Sequence, residues 1–226
     1  MLISFKKQFI YTKTFKTAGT SVESYFEKYC MPDGEWEFSH TREQHVSESG
    51  IVGYRGINSE GKAWFNHMSA EAIRASIGNS IWENYFKFCV IRNPFDKVIS
   101  GFHFLELSDS DTNQKSSRLE NHSLIERFRK WVVSGGAERV VDREKYIIDS
   151  KICIDFFVRY EELESGLNHI CQRLDIPYEL NKLPRLKISA RDRDLNIASY
   201  YDQSSVDVVK KLFEFELDYF GYLPPK

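Results

Sequence analysis

Chain-breaking residues are few: 12 Gly and 6 Pro among 226 residues. That scarcity excludes a collagen-like repeat and a Gly/Pro-rich low-complexity chain, and leaves regular elements free to form along the sequence. No excess of charge of either sign exists. Lys and Arg number 31 against 33 Asp and Glu, a net charge of −2, which argues against a general nucleic-acid binder, since that class carries a strong basic surplus. Cysteine is scarce and scattered. Cys30, Cys89, Cys153 and Cys171 form no CxxC pair, and two of them sit inside apolar runs. Buried reduced thiols are therefore expected instead of a disulfide framework. Long apolar stretches are missing too: nothing approaches the ~18 residues of a membrane span, and residues 1–7 lack the apolar core of a signal peptide. These absences lead to the expectation of a cytoplasmic protein with no membrane span and no nucleic-acid partner. Its oligomeric state cannot be read from the sequence. What is abundant is aromatic, 15 % of the chain, enough to fill a large core but silent about chemistry.

The length suits one well-filled domain over residues 1–226. Apolar runs at 8–12, 85–91 and 152–158 read as buried strands, the second almost continuously apolar, as a central parallel strand should be. Each is followed by a segment of helical periodicity. Val22, Tyr25, Phe26 and Tyr29 follow the first strand. Phe95, Val98, Ile99 and Phe102 follow the second, on a helix opened by Pro94, and 161–174 follows the third with Leu163, Leu167, Ile170 and Leu174 inward. Further helices are expected over 69–81 with Ser69 as N-cap, over 124–133, and over 206–220 ending at Gly221. Two segments lack periodicity, 31–63 and 108–123, and read as insertions or surface loops. Strands alternating with helices argue for a parallel α/β sheet.

In such sheets ligands bind beyond the carboxyl ends of the strands, where helix N-termini present N–H groups. Two strand ends here carry a cation directly before a helix start. The first is Lys16-Thr17-Ala18-Gly19-Thr20-Ser21, whose small residues allow close backbone wrapping around an anion, with hydroxyls and one full charge added. It is not a Walker loop, because the Lys precedes the Gly. The second is Arg92-Asn93-Pro94, with the guanidinium a planar fork for phosphate and Ser100 two turns further along the helix. Each alone is compatible with ordinary capping. Together they suit a ligand with phosphates at two separated positions.

The first segment resembles the 5′-phosphosulfate loop of the sulfotransferases, and Val90-Ile91-Arg92-Asn93-Pro94-Phe95-Asp96-Lys97-Val98-Ile99-Ser100 resembles their 3′-phosphate motif. The likeness is nearest to the carbohydrate branch that includes the heparan sulfate 2-O- and chondroitin/dermatan-type enzymes. It extends to Phe65-Asn66-His67-Met68-Ser69-Ala70, to 157–163 and to 213–222. The resemblance implies a P-loop-like three-layer α/β fold with a central parallel sheet flanked by helices. It also implies 3′-phosphoadenosine 5′-phosphosulfate (PAPS) as sulfate donor, no metal, and an acceptor hydroxyl, here expected on a saccharide. By the same likeness Lys16 to Ser21 grip the 5′ phosphosulfate, Arg92 and Ser100 hold the 3′-phosphate, Lys16 stabilises the leaving group and His67 is the base. Lys187, Ser189 and Arg191 correspond to a region that folds over the nucleotide in similar enzymes; a solvated basic loop is the competing reading. Basic residues Arg42, Arg55, Lys62, Lys115 and Arg118 would suit an acidic glycan if exposed, and Trp36, Tyr54 and Trp64 would either stack on sugar rings or pack. A nucleotide-dependent phosphotransferase and a non-catalytic nucleotide-binding module are the alternatives. The first lacks a Walker Lys and a recognisable Mg²⁺-binding Asp motif.

Overall fold

The computed structural model describes residues 1–106, 118–179 and 195–225. The chain forms two compact units, one from 1–91 with 142–186 and the other from 92–141 with 187–226. The first holds a six-stranded sheet in the order β3-β4-β1-β2-β5-β8. Its strands are β1 (Leu2–Ser4), β2 (Phe9–Tyr11), β3 (His45–Ser47), β4 (Gly50–Val52), β5 (Phe86–Ile91) and β8 (Phe156–Arg159). The three strands legible in the sequence are β2, β5 and β8, and they pair in parallel. The other three extend the sheet by antiparallel pairing. The result is a mixed sheet with a parallel half. β1, β3 and β4 are each three residues long and, unlike β2, are not directly followed by a helix that would mark them in the sequence.

Strand geometry sends successive side chains to opposite faces, and the core divides accordingly. Leu2, Phe9, Tyr11, Phe88 and Val90 pack with Val22, Tyr25 and Phe26 of α1 (Gly19–Phe26) and with Leu167 and Ile170 of α6 (Leu163–Arg173). Met1, Ile3, Ile10 and Ile51 pack on the opposite face with Ala70 and Ile73 of α2 (Ala70–Ile77) and Trp82 of α3 (Asn79–Asn84). Helices thus cover both faces, giving three layers. The helix expected over 69–81 is two helices, because Gly78 adopts φ 86°, outside the helical region and open to Gly without steric cost.

The expected strand over 152–158 also divides. Ile147–Ile148 (β6) and Lys151–Ile152 (β7) form a separate hairpin. Asp149 and Ser150 turn it, both at positive φ, as a two-residue type I′ connection requires. Only from Phe156 does the chain join the sheet. Asp155 marks the change, its carboxylate accepting the Lys87 backbone N–H at 2.7 Å and pairing with Lys87 Nζ at 3.0 Å.

In the second unit, α4 (Pro94–Glu106) packs with α5 (Arg118–Val133), α7 (Ile197–Tyr200) and α8 (Gln203–Leu212). Helix α5 takes in the last six residues of the expected loop 108–123, which is helical from Arg118 onward. Here the aromatic surplus finds its place: Phe128 lies edge-on to Phe102, Tyr200 and Tyr201 with centroids 5.0–5.4 Å apart. Such pairs add to the stabilisation from burial alone. The final helix expected over 206–220 is α8 and α9 (Glu214–Phe220), broken at Phe213 and closed by Gly221 in the left-handed region. Among the described residues no helix is long and apolar enough to cross a membrane.

Candidate active site

Strand β2 leads into a tight loop, residues 12–18, before α1 begins at Gly19. Hydrogen bonds to β5 pin the loop's base: Thr12 N–H donates to Phe88 O at 3.1 Å, and the Thr14 hydroxyl donates to Val90 O. Lys16 and Ala18 both stand at φ 58°, a conformation costly for residues with a side chain and concentrated at functional sites. Left-handed residues set among ordinary ones gather backbone N–H groups into anion-holding concavities. The N-cap residue of α1, Ala18, makes no side-chain cap bond, and the start of a helix favours a negative ligand. The Thr17 hydroxyl, by contrast, is engaged within the loop, 2.8 Å from Thr14 Oγ1 and 3.2 Å from Thr14 O. Any contribution it makes to an anion would come from its backbone N–H. Lys16, Ala18 and Thr20 are half-buried, while Thr17, Gly19 and Ser21 are buried.

Beneath the loop lies a buried ion cluster that sequence reading missed. Glu23, on α1, is 1 % exposed. It accepts from the Met1 ammonium at 2.5 Å, Lys13 Nζ at 2.5 Å and Arg55 at 3.1 Å. Burial alone would raise the Glu23 carboxyl, but Lys13, the Met1 ammonium and Arg55 outweigh it and hold it far below the usual carboxylate range. The Lys13 side chain runs directly under Gly19: a Cβ on Gly19 would stand 2.7 Å from Lys13 Cε and 2.9 Å from its Cγ. Glycine is required there by close approach. The one signal in the sequence is a charged residue, Glu23, beside Val22 on an otherwise apolar and hydroxylated helix.

His67 belongs to the same unit. It sits at φ 59° two residues before the Ser69 N-cap of α2. Its Nδ1 lies 3.1 Å from Lys13 O and its ring meets Phe15 edge-on at 5.8 Å. A carbonyl only accepts, so Nδ1 carries the proton and Nε2 keeps its lone pair. Burial, reinforced by the neighbouring Lys13 charge and opposed by Glu23, lowers its pKa to about 3. His67 is therefore neutral across the physiological range.

In the second unit, chain continuity places Arg92 one residue beyond β5. Its guanidinium engages Asp96 one turn ahead, Nε at 2.8 Å and Nη2 at 2.7 Å. Asn93 Oδ1 accepts the Phe95 N–H at 3.0 Å and shapes the start of α4. Lys97, Ser100 and His103 on α4 are buried, 6–9 % exposed. His103 is structural, with Nε2 3.1 Å from the Tyr200 hydroxyl. Lys187, Ser189 and Arg191 lie outside the described residues, as does Lys115, and the Arg118 side chain is likewise not described.

The segment expected to receive the acceptor, 31–63, holds an open pocket of about 540 Å³ whose lining includes Met31, Arg42, His45, Tyr54, Arg55 and Ile57. Tyr54 pairs with 64–66 through Tyr54 N–H to Trp64 O and Asn66 N–H to Tyr54 O, both 2.8 Å, one residue before His67. The basic residues here are not an open cationic patch. Arg42 pairs with Glu27 at 2.7 Å, Arg55 with Glu23 and Glu27, and Lys62 with Glu43 at 2.6 Å. Trp64 is core, and Trp36 donates to Glu27.

The chain is similar to an uncharacterized protein of Archaeoglobus fulgidus, 26 % identical over 117 residues that cover 50 % of this chain and 88 % of that protein. A sequence model of the Sulfotransferase family matches residues 1–223. That match takes in the β2–α1 loop, the His67 turn, the β5 end and the C-terminal helices together, and the chain belongs to the Sulfotransferase family.

Proposed function

We propose that this family member transfers the sulfuryl group of PAPS to a hydroxyl of a saccharide, as in the carbohydrate branch its motifs resemble, and that residues 1–226 act as one catalytic domain. The observation that carries the reading is the β2–α1 loop: a strained anion cradle with Lys16 within it and a neutral His67 one carbonyl away. When bound, PAPS would supply an activated sulfuryl group and a bisphosphate leaving group. The left-handed loop residues and the start of α1 suit an anionic group. The backbone of Lys16 to Ser21 would hold the 5′ end, and Arg92 with Ser100 the 3′-phosphate, for which the Arg92 fork must share or exchange its Asp96 partner.

Transfer in line forms an oxygen–sulfur bond to the acceptor and breaks the one to the leaving phosphate. Lys16 and the helix N–H groups would stabilise the charge that grows on that leaving oxygen, as pre-organised donors do elsewhere. His67 Nε2 would take the proton from the acceptor hydroxyl. A histidine this resistant to protonation is a weak base in the unliganded protein. Negative charge arriving beside it favours the imidazolium and strengthens it as the reaction proceeds. The pocket at residues 31–57 would receive the acceptor. Its cations being already neutralised, recognition there would rest on hydrogen bonds and the Tyr54 ring more than on net charge. Four free cysteines suit a reducing, cytoplasmic setting.

Calorimetry should show adenosine 3′,5′-bisphosphate binding more tightly than ATP. Lys16→Ala and Arg92→Ala should weaken that binding, and His67→Ala should abolish labelled-sulfate transfer to a glycan panel while sparing it. Equal or tighter ATP binding overturns the proposal in favour of a phosphotransferase.

A further inference from the structure

We infer that Lys13 and Glu23 form a positioning pair for the catalytic base, the Lys13 carbonyl selecting the His67 tautomer and Glu23 fixing Lys13 beneath the loop. The inference rests on the reading of His67 as base and assigns a task to two residues outside the family motif. Three observations meet at Lys13. Its carbonyl oxygen lies 3.1 Å from His67 Nδ1, so the ring must carry its proton on that nitrogen and leave Nε2 to accept another. Its side chain is buried, passes within 2.7–2.9 Å of where a Gly19 Cβ would stand, and so supports the first turn of α1 from below. Its ammonium ends on Glu23 at 2.5 Å. One residue thus touches the base, the anion loop and the helix behind it. Nothing about a salt bridge alone would require the same residue to hold all three.

The charges facing His67 are Lys13 from the loop, Glu23 from α1 and the Met1 ammonium just before β1. Lys13 and the ammonium oppose a second proton on the ring, Glu23 favours one, and burial, the largest influence, opposes it. Burial, with the Lys13 charge, keeps the base unprotonated, and the Lys13 carbonyl aims it without an acidic residue on its Nδ1, where a carboxylate would favour the imidazolium instead. Glu23 is the residue that permits a buried Lys13 ammonium at all, since an unpaired one would be expelled or deprotonated.

The test needs no donor or acceptor at its first stage. Nitrogen-15 NMR of the wild-type imidazole should show Nδ1 protonated and Nε2 bare from pH 5 to 8, with no titration in that interval. In Lys13→Met the His67 pKa should rise, staying below the ordinary imidazole value because burial is untouched, and Lys13→Arg should return it toward wild type. At the second stage, with sulfuryl transfer measured, Lys13→Met and Glu23→Gln should lower kcat by about 100-fold, the cost of a misplaced catalytic group, with a much smaller change in acceptor KM. An Nε2-protonated ring, or titration near pH 6.5 in a wild-type protein that transfers sulfate, overturns the pair and leaves the sulfotransferase reading standing. A bare Nε2 in a wild-type protein that binds no adenosine 3′,5′-bisphosphate and transfers nothing overturns the function, and the catalytic role of the pair with it. Should Lys13→Met fail to fold, the wild-type tautomer and the Glu23→Gln kinetics still decide.

Discussion

Replacing Gly19 by alanine sets two effects of opposite sign against each other. Gly19 opens α1, and alanine in a helix is favoured over glycine by up to about 1 kcal/mol. Its φ is not positive, so the backbone itself accepts a side chain. Against this, the added Cβ meets Lys13 at 2.7 and 2.9 Å, and the three nearest atoms all belong to that one side chain. A flexible lysine would normally step aside at small cost. Lys13 cannot, being 4 % exposed with its ammonium 2.5 Å from a buried carboxylate. Displacing it breaks one arm of a buried ion cluster, which costs about 3–5 kcal/mol when a charge is left uncompensated. The clash wins. Gly19→Ala should destabilise the protein by roughly 2–4 kcal/mol, a fall in Tm on the order of 5–15 °C for a chain of this size. The decisive assay is a double-mutant cycle followed by urea or thermal unfolding. In a Lys13→Ala background the obstructing atoms are gone, and Gly19→Ala should become neutral or stabilising by up to about 1 kcal/mol. Equal destabilisation in both backgrounds would refute the reasoning, because the conflict would then lie with something other than Lys13.

Lys16→Gly should relieve the left-handed strain at φ 58° and leave stability unchanged or raised by up to about 1 kcal/mol, while lowering transfer about 10²–10³-fold; unfolding curves and kcat measured side by side check both. His67→Asn keeps a residue type tolerant of φ 59° and removes a titrating group. The folded pKa of His67, about 3, lies below its ordinary value, so the unfolded chain takes up the proton first and the wild type loses stability as pH falls from 6.5 toward 3. Between pH 7 and pH 4 that component is roughly 3 kcal/mol, and urea midpoints should show His67→Asn less acid-sensitive by this amount. Arg92→Lys loses the fork held on Asp96 and should weaken adenosine 3′,5′-bisphosphate binding about 10-fold by calorimetry, since an ammonium cannot make the bidentate contact.

The parallel half of the sheet was legible because β2, β5 and β8 are apolar runs followed by helices, and buried parallel strands need that composition. The antiparallel half was not, since β1, β3 and β4 are three residues each with no helix directly after them to mark them, as α1 marks β2, and β1 and β4 pair across a long stretch of chain, Leu2 with Val52. The strand expected over 152–158 failed at Asp155 for a related reason. A carboxylate that satisfies the Lys87 N–H cannot be told from a solvated one without knowing what lies beside it.

The candidate site divides in the same way. The anion loop is local: small residues, a lysine and a helix start are contiguous in sequence, so Lys16 to Ser21 could be read directly, as could the Arg92 strand end. The groups that support it are only partly local. Lys13 and Glu23 flank the loop, but Arg55, His67 and the Met1 ammonium come from three other stretches, and only the fold brings them within hydrogen-bonding distance in a buried place. Burial decides their chemistry. A lysine, a glutamate and a histidine in water keep their ordinary protonation, whereas low dielectric and fixed neighbours hold this glutamate charged and this histidine neutral. Near-neutral composition by itself argued against a general nucleic-acid binder, and the two loops raised the expectation of a ligand with phosphates at two separated positions. Which cations remain available to a substrate was settled only by tertiary structure, because Arg42, Arg55 and Lys62, basic in the sequence, are each already matched by a carboxylate.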